Sequence, residues 1–361
     1  MNRGFLSYVN FSLLAPVLLL VTISLTVIFS VSSALFWTQF VFVILSIFVF
    51  LLCSSINYKI LRLYAIPIYV TSLVVLFLLL FLGTESRGAM RWFEIFGVRI
   101  QFSEFLKPFL ALSLASYLSQ HMNRSLSTFL MVFAYLLPVV FLIFIQPDLG
   151  NALIYGFVVV LTLVIFGFPY KYFISGLLFF TAISPIAWNF LHEYQKHRLL
   201  TFVNPSSDPL GTSYNAIQSI IAVGSGMLFG QGLGQGTQST LRFLPERHTD
   251  FIFATIAEEL GFIGVIVLLA IFAMLFYRIF LIFTKLDDTF SKVFTITCFS
   301  ILLVQFFINV GMNVGVLPIV GITLPFVSYG GSSLLSSFIL LGLLSAVGKA
   351  GGRDKDVLEI R

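Results

Sequence analysis

Charge is scarce in this sequence. Lys, Arg, Asp and Glu together make up 10% of its 361 residues, well under half the share usual for a soluble domain. Cysteine is scarcer still: Cys53 and Cys298 stand alone, both within or at the ends of apolar runs. That excludes a disulfide framework and says little about compartment. His192, His197 and His248 share one segment, but their spacings match no familiar zinc signature. The glycine-rich segment Gly224–Gly236 lacks the Gly-Lys-Ser/Thr ending of a P-loop, and no soluble strand precedes it. There is no solenoid-length repeat and no nucleic-acid signature.

Apolar surface is what the chain has instead. Hydrophobic residues make up 59% of it, and 43 residues are Phe; the mean hydropathy is +1.04. Its apolar runs reach spanning length without the alternation of barrel strands, so the chain reads as an all-α integral membrane protein, one polytopic domain over 1–361. Ten spans are predicted, at about 11–31, 34–54, 62–82, 105–120, 126–145, 149–168, 172–190, 252–276, 290–313 and 331–348. The first run is too long for a signal-peptide core and no small-residue cleavage site closes it, so it reads as a retained span. The charged tail from Gly348 is expected to fray.

An even count puts both termini on one side. Taken as cytoplasmic, that side holds twelve of the 20 basic residues in short connections, as the positive-inside rule asks. The other eight sit in two long outer segments, about 83–107 and 191–250, and ten of the 15 acids lie on the same outer side. Loops of that length are usually functional or disordered. These carry aromatics and Pro/Gly punctuation without low complexity, so they are expected to be ordered and to hold the active surface.

In the first loop Arg87, Arg91, Arg99 and Lys107 supply cations, and Trp92 and Phe93 an aromatic edge. Arg clusters suit bidentate binding of phosphate or carboxylate; a snorkelling interfacial belt is the plainer reading of Trp92 and Arg99. Glu104 and Lys107, three apart at a helix start, read as a local pair. Asp148 reads as the cap of the next helix, or as an acid facing a site. The glycines of 224–236 allow backbone to approach a substrate or another helix closely. Gln305, Asn309 and Asn313 fall at i, i+4, i+8 and form one polar stripe, whose plain use is interhelical hydrogen bonding.

The densest chemistry lies in Leu241–Glu259, where Arg242, Glu246, Arg247, His248, Asp250, Glu258 and Glu259 abut a long apolar run. Ionisable groups beside hydrocarbon are costly and mark function. Asp250 sits beside Arg247 and His248, immediately before the apolar run 251–257. Desolvation would raise its pKa and the cations would lower it. It reads either as a general base or as a helix cap.

Five segments in order across nearly the whole chain make it similar to the SEDS (shape, elongation, division and sporulation) family: RGAMRWFEIFGVRIQFSEFLKP (87–108), QPDLGNAL (146–153), HRLLTFVNPSSDPLGTSYNAIQS (197–219), GQGLGQGTQSTLRFLPERHTDFIFATIAEELGFIG (230–264) and NVGMNVGVLPIVGITLPFVSYGGSS (309–333). The forms LPERHTDFIFA and DPLGTSYNAIQS resemble the rod-shape members more than the division paralogues. The chain departs from the family at Phe102, where a proline is usual, which is expected to loosen the local turn. Met227, where the family often has a further glycine, is a minor departure.

The resemblance implies a ten-span bundle with two large extracytoplasmic loops in the bacterial inner membrane, both termini cytoplasmic. It implies a peptidoglycan glycosyltransferase that polymerises lipid II, and a single-span class B penicillin-binding protein as partner. The family's essential aspartate matches Asp250, and its Arg-Trp pair matches Arg91 and Trp92. On this reading Asp250 is the base that activates the acceptor GlcNAc 4-hydroxyl for inverting attack on the donor MurNAc anomeric carbon. Arg91, Lys107, Arg198, Arg242 and Arg247 are the candidates for stabilising the pyrophosphate, with Glu104 orienting Lys107 or the acceptor. No cofactor is required by the sequence; magnesium or manganese would assist the pyrophosphate, but no ligand set stands out. The competing classes are a flippase for the lipid-linked precursor and a scaffold for a transpeptidase. A flippase would favour midplane charges, whereas here the firm charges gather at one interface.

Overall fold

A chain in hydrocarbon must satisfy its own backbone polar groups, and a helix does so within the segment. The computed structural model describes residues 10–86, 89–95, 98–191, 193–204, 208, 211 and 213–358. Its helices are α1 (Phe11–Val31), α2 (Ser33–Ser54), α3 (Tyr58–Leu82), α4 (Phe102–Gln120), α5 (Leu126–Ile145), α6 (Leu149–Phe166) and α7 (Tyr170–Phe190). Three shorter ones follow in the second loop, α8 (Glu193–Val203), α9 (Tyr214–Ser225) and α10 (Thr237–Thr240). The chain then completes the bundle with α11 (Ile252–Phe283), α12 (Thr289–Asn313) and α13 (Gly331–Leu358).

Each of the ten expected spans is a helix. Among the described residues nine are long and apolar enough to cross a membrane; α4 is the exception. The reason is its surroundings. α4 packs against α3, α12 and α13 and is covered along most of its length, so it can carry Ser103, Glu104 and Lys107 where a lipid-facing helix could not. α7 is the opposite case. None of its residues is buried, and Tyr172 and Phe173 near its start pack around Phe129 of α5. The helix α13 continues into the charged tail as far as Leu358; the glycines at 351 and 352 lower helix propensity without ending it.

The first loop adds strands to an otherwise helical protein. β1 (Thr84–Ser86), β2 (Ala89–Ile95) and β3 (Val98–Gln101) form an antiparallel sheet in that order. Glu94 pairs in register with Arg99, and Trp92 with Gln101. β3 runs directly into α4, whose first residue is Phe102. At this junction the Phe102 ring packs against the core.

Within α11 the helix breaks at Gly261, which has φ +66°. A break strands carbonyls on one side and N–H groups on the other. The glycine-rich segment takes up both sets. Gln231 and Gly232 donate their N–H groups to the carbonyls of Glu258 and Glu259, at 2.9 and 3.1 Å. Phe262 and Ile263 donate theirs to the carbonyls of Met227 and Leu228, at 2.8 and 3.2 Å. The two backbones approach so closely that a Cβ on Gly230 would overlap the Glu259 carbonyl. Close approach to another helix is thus the use of Gly226 and Gly230. Met227 adopts φ +45°, a conformation that glycine takes freely.

Two buried acids fasten the same segment. Glu258 accepts N–H bonds from Gln238 and Ser239 at 2.7 and 3.0 Å, capping α10. Glu259 accepts from the Ser30 hydroxyl of α1 and the Gly234 N–H. Deeper in the bundle Lys107 donates to Glu104 at 2.6 Å, with the two residues 2% and 7% exposed. Asp148 caps α6 through the Asn151 N–H at 3.3 Å and also accepts from Gln101 and Ser103, so it ties α6 to the junction of β3 and α4.

Two outcomes follow for stability, measured by thermal unfolding in detergent. Gly230→Ala should destabilise by roughly 2 kcal/mol or more, since φ is +81° and the Cβ has no room. Gly156→Ala, on α6 with open space around it, should not destabilise. Lys107→Met should cost about 3–5 kcal/mol by stranding the buried Glu104 carboxylate. The double variant Glu104→Gln/Lys107→Met should recover most of that loss; a double variant as unstable as the single would show that packing, not charge, carries the effect.

Candidate active site

The second loop, the segment 314–330 and the start of α11 meet at one end of the bundle. They are joined through the backbone of residues 247–250, where four consecutive carbonyls are each held by a donor from elsewhere. Thr255 Oγ1 of α11 donates to the Arg247 carbonyl at 2.9 Å. The Tyr329 N–H donates to His248 at 2.8 Å, and Ser328 Oγ to Thr249 at 2.7 Å. Asn309 and Asn313 of α12 both donate to Asp250, at 3.0 Å each. From within the loop, Phe251 and Thr249 donate their N–H groups to the Glu246 carbonyl at 3.2 and 3.1 Å.

This wiring settles what caps α11. Its cap residue is Phe251, whose side chain makes no cap bond, and Asn313 Oδ1 accepts the Ala254 N–H at 3.1 Å. The amide stripe of α12 thus caps the neighbouring helix. Asp250 lies one residue before the cap, half-buried. Its carboxylate lies over Gly321, which is exposed: a Cβ there would lie 3.2 Å from Asp250 Oδ2. The acid is therefore held by its backbone while its side chain reaches a surface turn.

Arg247 is half-buried beside it. Its Nε is buried and makes no hydrogen bond among the described residues. Burial, and then the charge of nearby Arg242, lower its pKa from the ordinary arginine value. Both causes penalise the cation, and an anionic ligand would offset them. Arg242 is exposed, with φ +63°. Arg198, exposed on α8, lines a cavity of about 60 Å³ with Thr201, Ile217, Pro318 and Ile319.

The first loop contributes less directly. Trp92 is half-buried on β2, and its register partner Gln101 donates to Asp148 at 2.8 Å. The backbone of Arg91 lies in β2, but its side chain, like all of Arg87 and His192, falls outside the described residues. Arg99 is exposed, 3.9 Å from Glu94. Glu104 and Lys107 are in the interior, paired with one another. Sequence reasoning did not find that half-buried Gln101 and buried Ser103 join Asp148 and Asn151, because they lie 47 and 45 residues from Asp148 and only the fold brings them there. It also read Glu258 and Glu259 as part of an outer charge cluster, whereas both are buried.

Comparison with known proteins agrees with this geometry. The family model described as "Cell cycle protein", for FtsW, RodA and SpoVE, matches residues 5–351. The chain is 38% identical over 282 residues to the peptidoglycan glycosyltransferase MrdB of Escherichia coli K12, covering 78% of this chain and 76% of that one. It is 37% identical over 311 residues to the probable peptidoglycan glycosyltransferase FtsW of Geobacter metallireducens, covering 85% and 82%. A chain solved in a study of how a peptidoglycan synthase complex coordinates polymerization and crosslinking superposes with a TM-score of 0.83 at 30% identity, over 95% of this chain and 98% of that one. The rod shape determining protein RodA of Thermus thermophilus gives a TM-score of 0.71 at 28% identity, over 94% and 96%. The chain belongs to the FtsW/RodA/SpoVE (SEDS) family and is a multi-pass membrane peptidoglycan glycosyltransferase.

Proposed function

We propose that the chain polymerises lipid II into glycan strands during cell-wall elongation, at the outer face of the bacterial plasma membrane, with both termini cytoplasmic and Asp250 as the base. The observation that carries this is the seat of Asp250: a backbone clamped at four successive carbonyls and a carboxylate lying on the exposed Gly321 turn. Such preorganisation lets a base meet a hydroxyl at hydrogen-bonding distance without first ordering a loop.

In the step proposed, Asp250 takes the proton of the acceptor GlcNAc 4-hydroxyl as its oxygen attacks the donor MurNAc anomeric carbon. The bond from that carbon to the phosphate oxygen breaks, and undecaprenyl pyrophosphate leaves with the electron pair. A single displacement of an α-linked donor gives a β-linked product, so configuration inverts. Negative charge grows on the leaving oxygen, where fixed cations act most strongly. Arg247 fits this role best, being half-buried with an Nε that makes no hydrogen bond among the described residues, with Arg242 and Arg198 on the same loop and Arg91 and Trp92 on the first. Lys107 would act from the interior, oriented by Glu104.

A magnesium or manganese ion would need its ligands from the chain or from the pyrophosphate itself. Among the described residues no three acids, histidines or cysteines gather as a ligand set. Asp148, Glu258 and Glu259 already accept bonds from protein donors, and Glu104 is paired with Lys107. For the partner, the similarity to a chain from a peptidoglycan synthase complex supports a class B penicillin-binding protein that supplies crosslinking.

The test is lipid II polymerisation by the purified protein, with and without a cognate class B partner. Asp250→Ala and Asp250→Asn should abolish strands while keeping the wild-type melting temperature. Wild-type-like strands from either variant would sink the assignment of the base. Arg247→Ala should lower kcat by roughly 10²–10³, the loss typical of one electrostatic stabiliser. Lipid II translocation in liposomes with no strands under any condition would favour a flippase.

A further inference from the structure

The donors that hold residue 250 are not equivalent. Asn313 spreads its bonds widely: besides the Asp250 carbonyl, its Oδ1 accepts from the Ala254 N–H at 3.1 Å and lies 3.4 Å from Ser219 Oγ of α9. It fastens helix starts. Asn309 does something narrower. It is fully buried, and its single amide nitrogen donates to the Asp250 carbonyl at 3.0 Å and the Ile322 carbonyl at 2.6 Å. Ile322 directly follows Gly321, the residue on which the Asp250 carboxylate lies. One side chain therefore ties together the two backbones that bracket the carboxylate.

The residue type suits this task. The Asn amide nitrogen carries two N–H donors and no charge, so it can serve two carbonyls at once inside the bundle. A leucine would leave both carbonyls without that donor. An aspartate would set an acceptor against two acceptors. Gly321 completes the seat: its φ of +71° is one that L side chains rarely adopt, and any Cβ would press on the carboxylate.

We propose that Asn309 is a positioning residue for glycosyl transfer, setting the Asp250 carboxylate on the Gly321 turn at the distance proton abstraction requires. This rests on Asp250 being the base. A base acts only within about 2.6–3.2 Å of the proton's heavy atom, and a misplacement of about 1 Å can cost on the order of 10²-fold in rate.

The test compares purified full-length wild type with Asn309→Ala, Gly321→Ala, Asp250→Ala and, as control, Gln305→Ala. Gln305 lies on the same stripe, is equally buried, and its amide nitrogen makes no hydrogen bond among the described residues. Polymerisation is measured against lipid II concentration and pH. Asn309→Ala and Gly321→Ala should each lower kcat by roughly 10–100-fold with KM within about twofold, and shift the acidic limb of the kcat profile; Gln305→Ala should leave kcat and that limb in place. A folded Asn309→Ala with wild-type kcat and pH profile, beside an inactive Asp250→Ala, overturns the positioning role and leaves the base standing. Wild-type activity of Asp250→Ala overturns both. Should Asn309→Ala fail to fold, Gly321→Ala reads the same seat from the other side, and wild-type kcat there overturns the proposal.

Discussion

Backbone polar groups in a bilayer cannot be left unpaired, and this constraint explains where the second loop goes. α11 breaks at Gly261, and the broken helix offers two carbonyls and two N–H groups that need partners of matching kind. The segment 227–232 provides them only by lying directly against the helix, which is why glycine stands at the points of closest approach. Once it is there, Glu258 and Glu259 hold its continuation through N–H groups at 234, 238 and 239. The loop is thus fixed a few residues before the run from Arg242 to Asp250. A helix defect and a loop anchor are one structure.

From that anchor the chain climbs to a half-buried segment, 246–250, whose carbonyls are held from behind. The five donors to the carbonyls of residues 247–250 come from α11, α12 and the segment 314–330. Each such bond is worth only about 1 kcal/mol net, so their joint effect is positional more than energetic. Fixing the backbone removes freedom that a catalytic side chain would otherwise lose at the moment of reaction.

The sequence was legible where physics acts locally. Run length and the lack of alternation place ten helices, and the spacing of Glu104 and Lys107 yields their pair. The stripe of Gln305, Asn309 and Asn313 is readable as interior polarity, yet its use as a clamp on residue 250 is not, because the partner lies 59 and 63 residues away. The sheet of 84–101 left a local trace: Glu94 and Arg99 are opposite charges five residues apart, and they pair in register. Burial of Glu258 and Glu259 left none. Their charge reads as surface chemistry unless the glycines upstream are known to fold back onto them.

That difference bears on which acid does chemistry. Glu104, Asp148, Glu258 and Glu259 are all buried, and each accepts hydrogen bonds from other protein groups. To take a proton from a substrate hydroxyl, any of them would have to be uncovered and give up donors that hold the fold. Those losses run to about 1–3 kcal/mol per stranded group. Asp250 is placed differently: its backbone carbonyl takes the amides of Asn309 and Asn313, and the residue is half-buried with its carboxylate beside the exposed Gly321. An acid held by its main chain can exchange a proton without loosening what holds it, which is what a base that must reset after every sugar added requires.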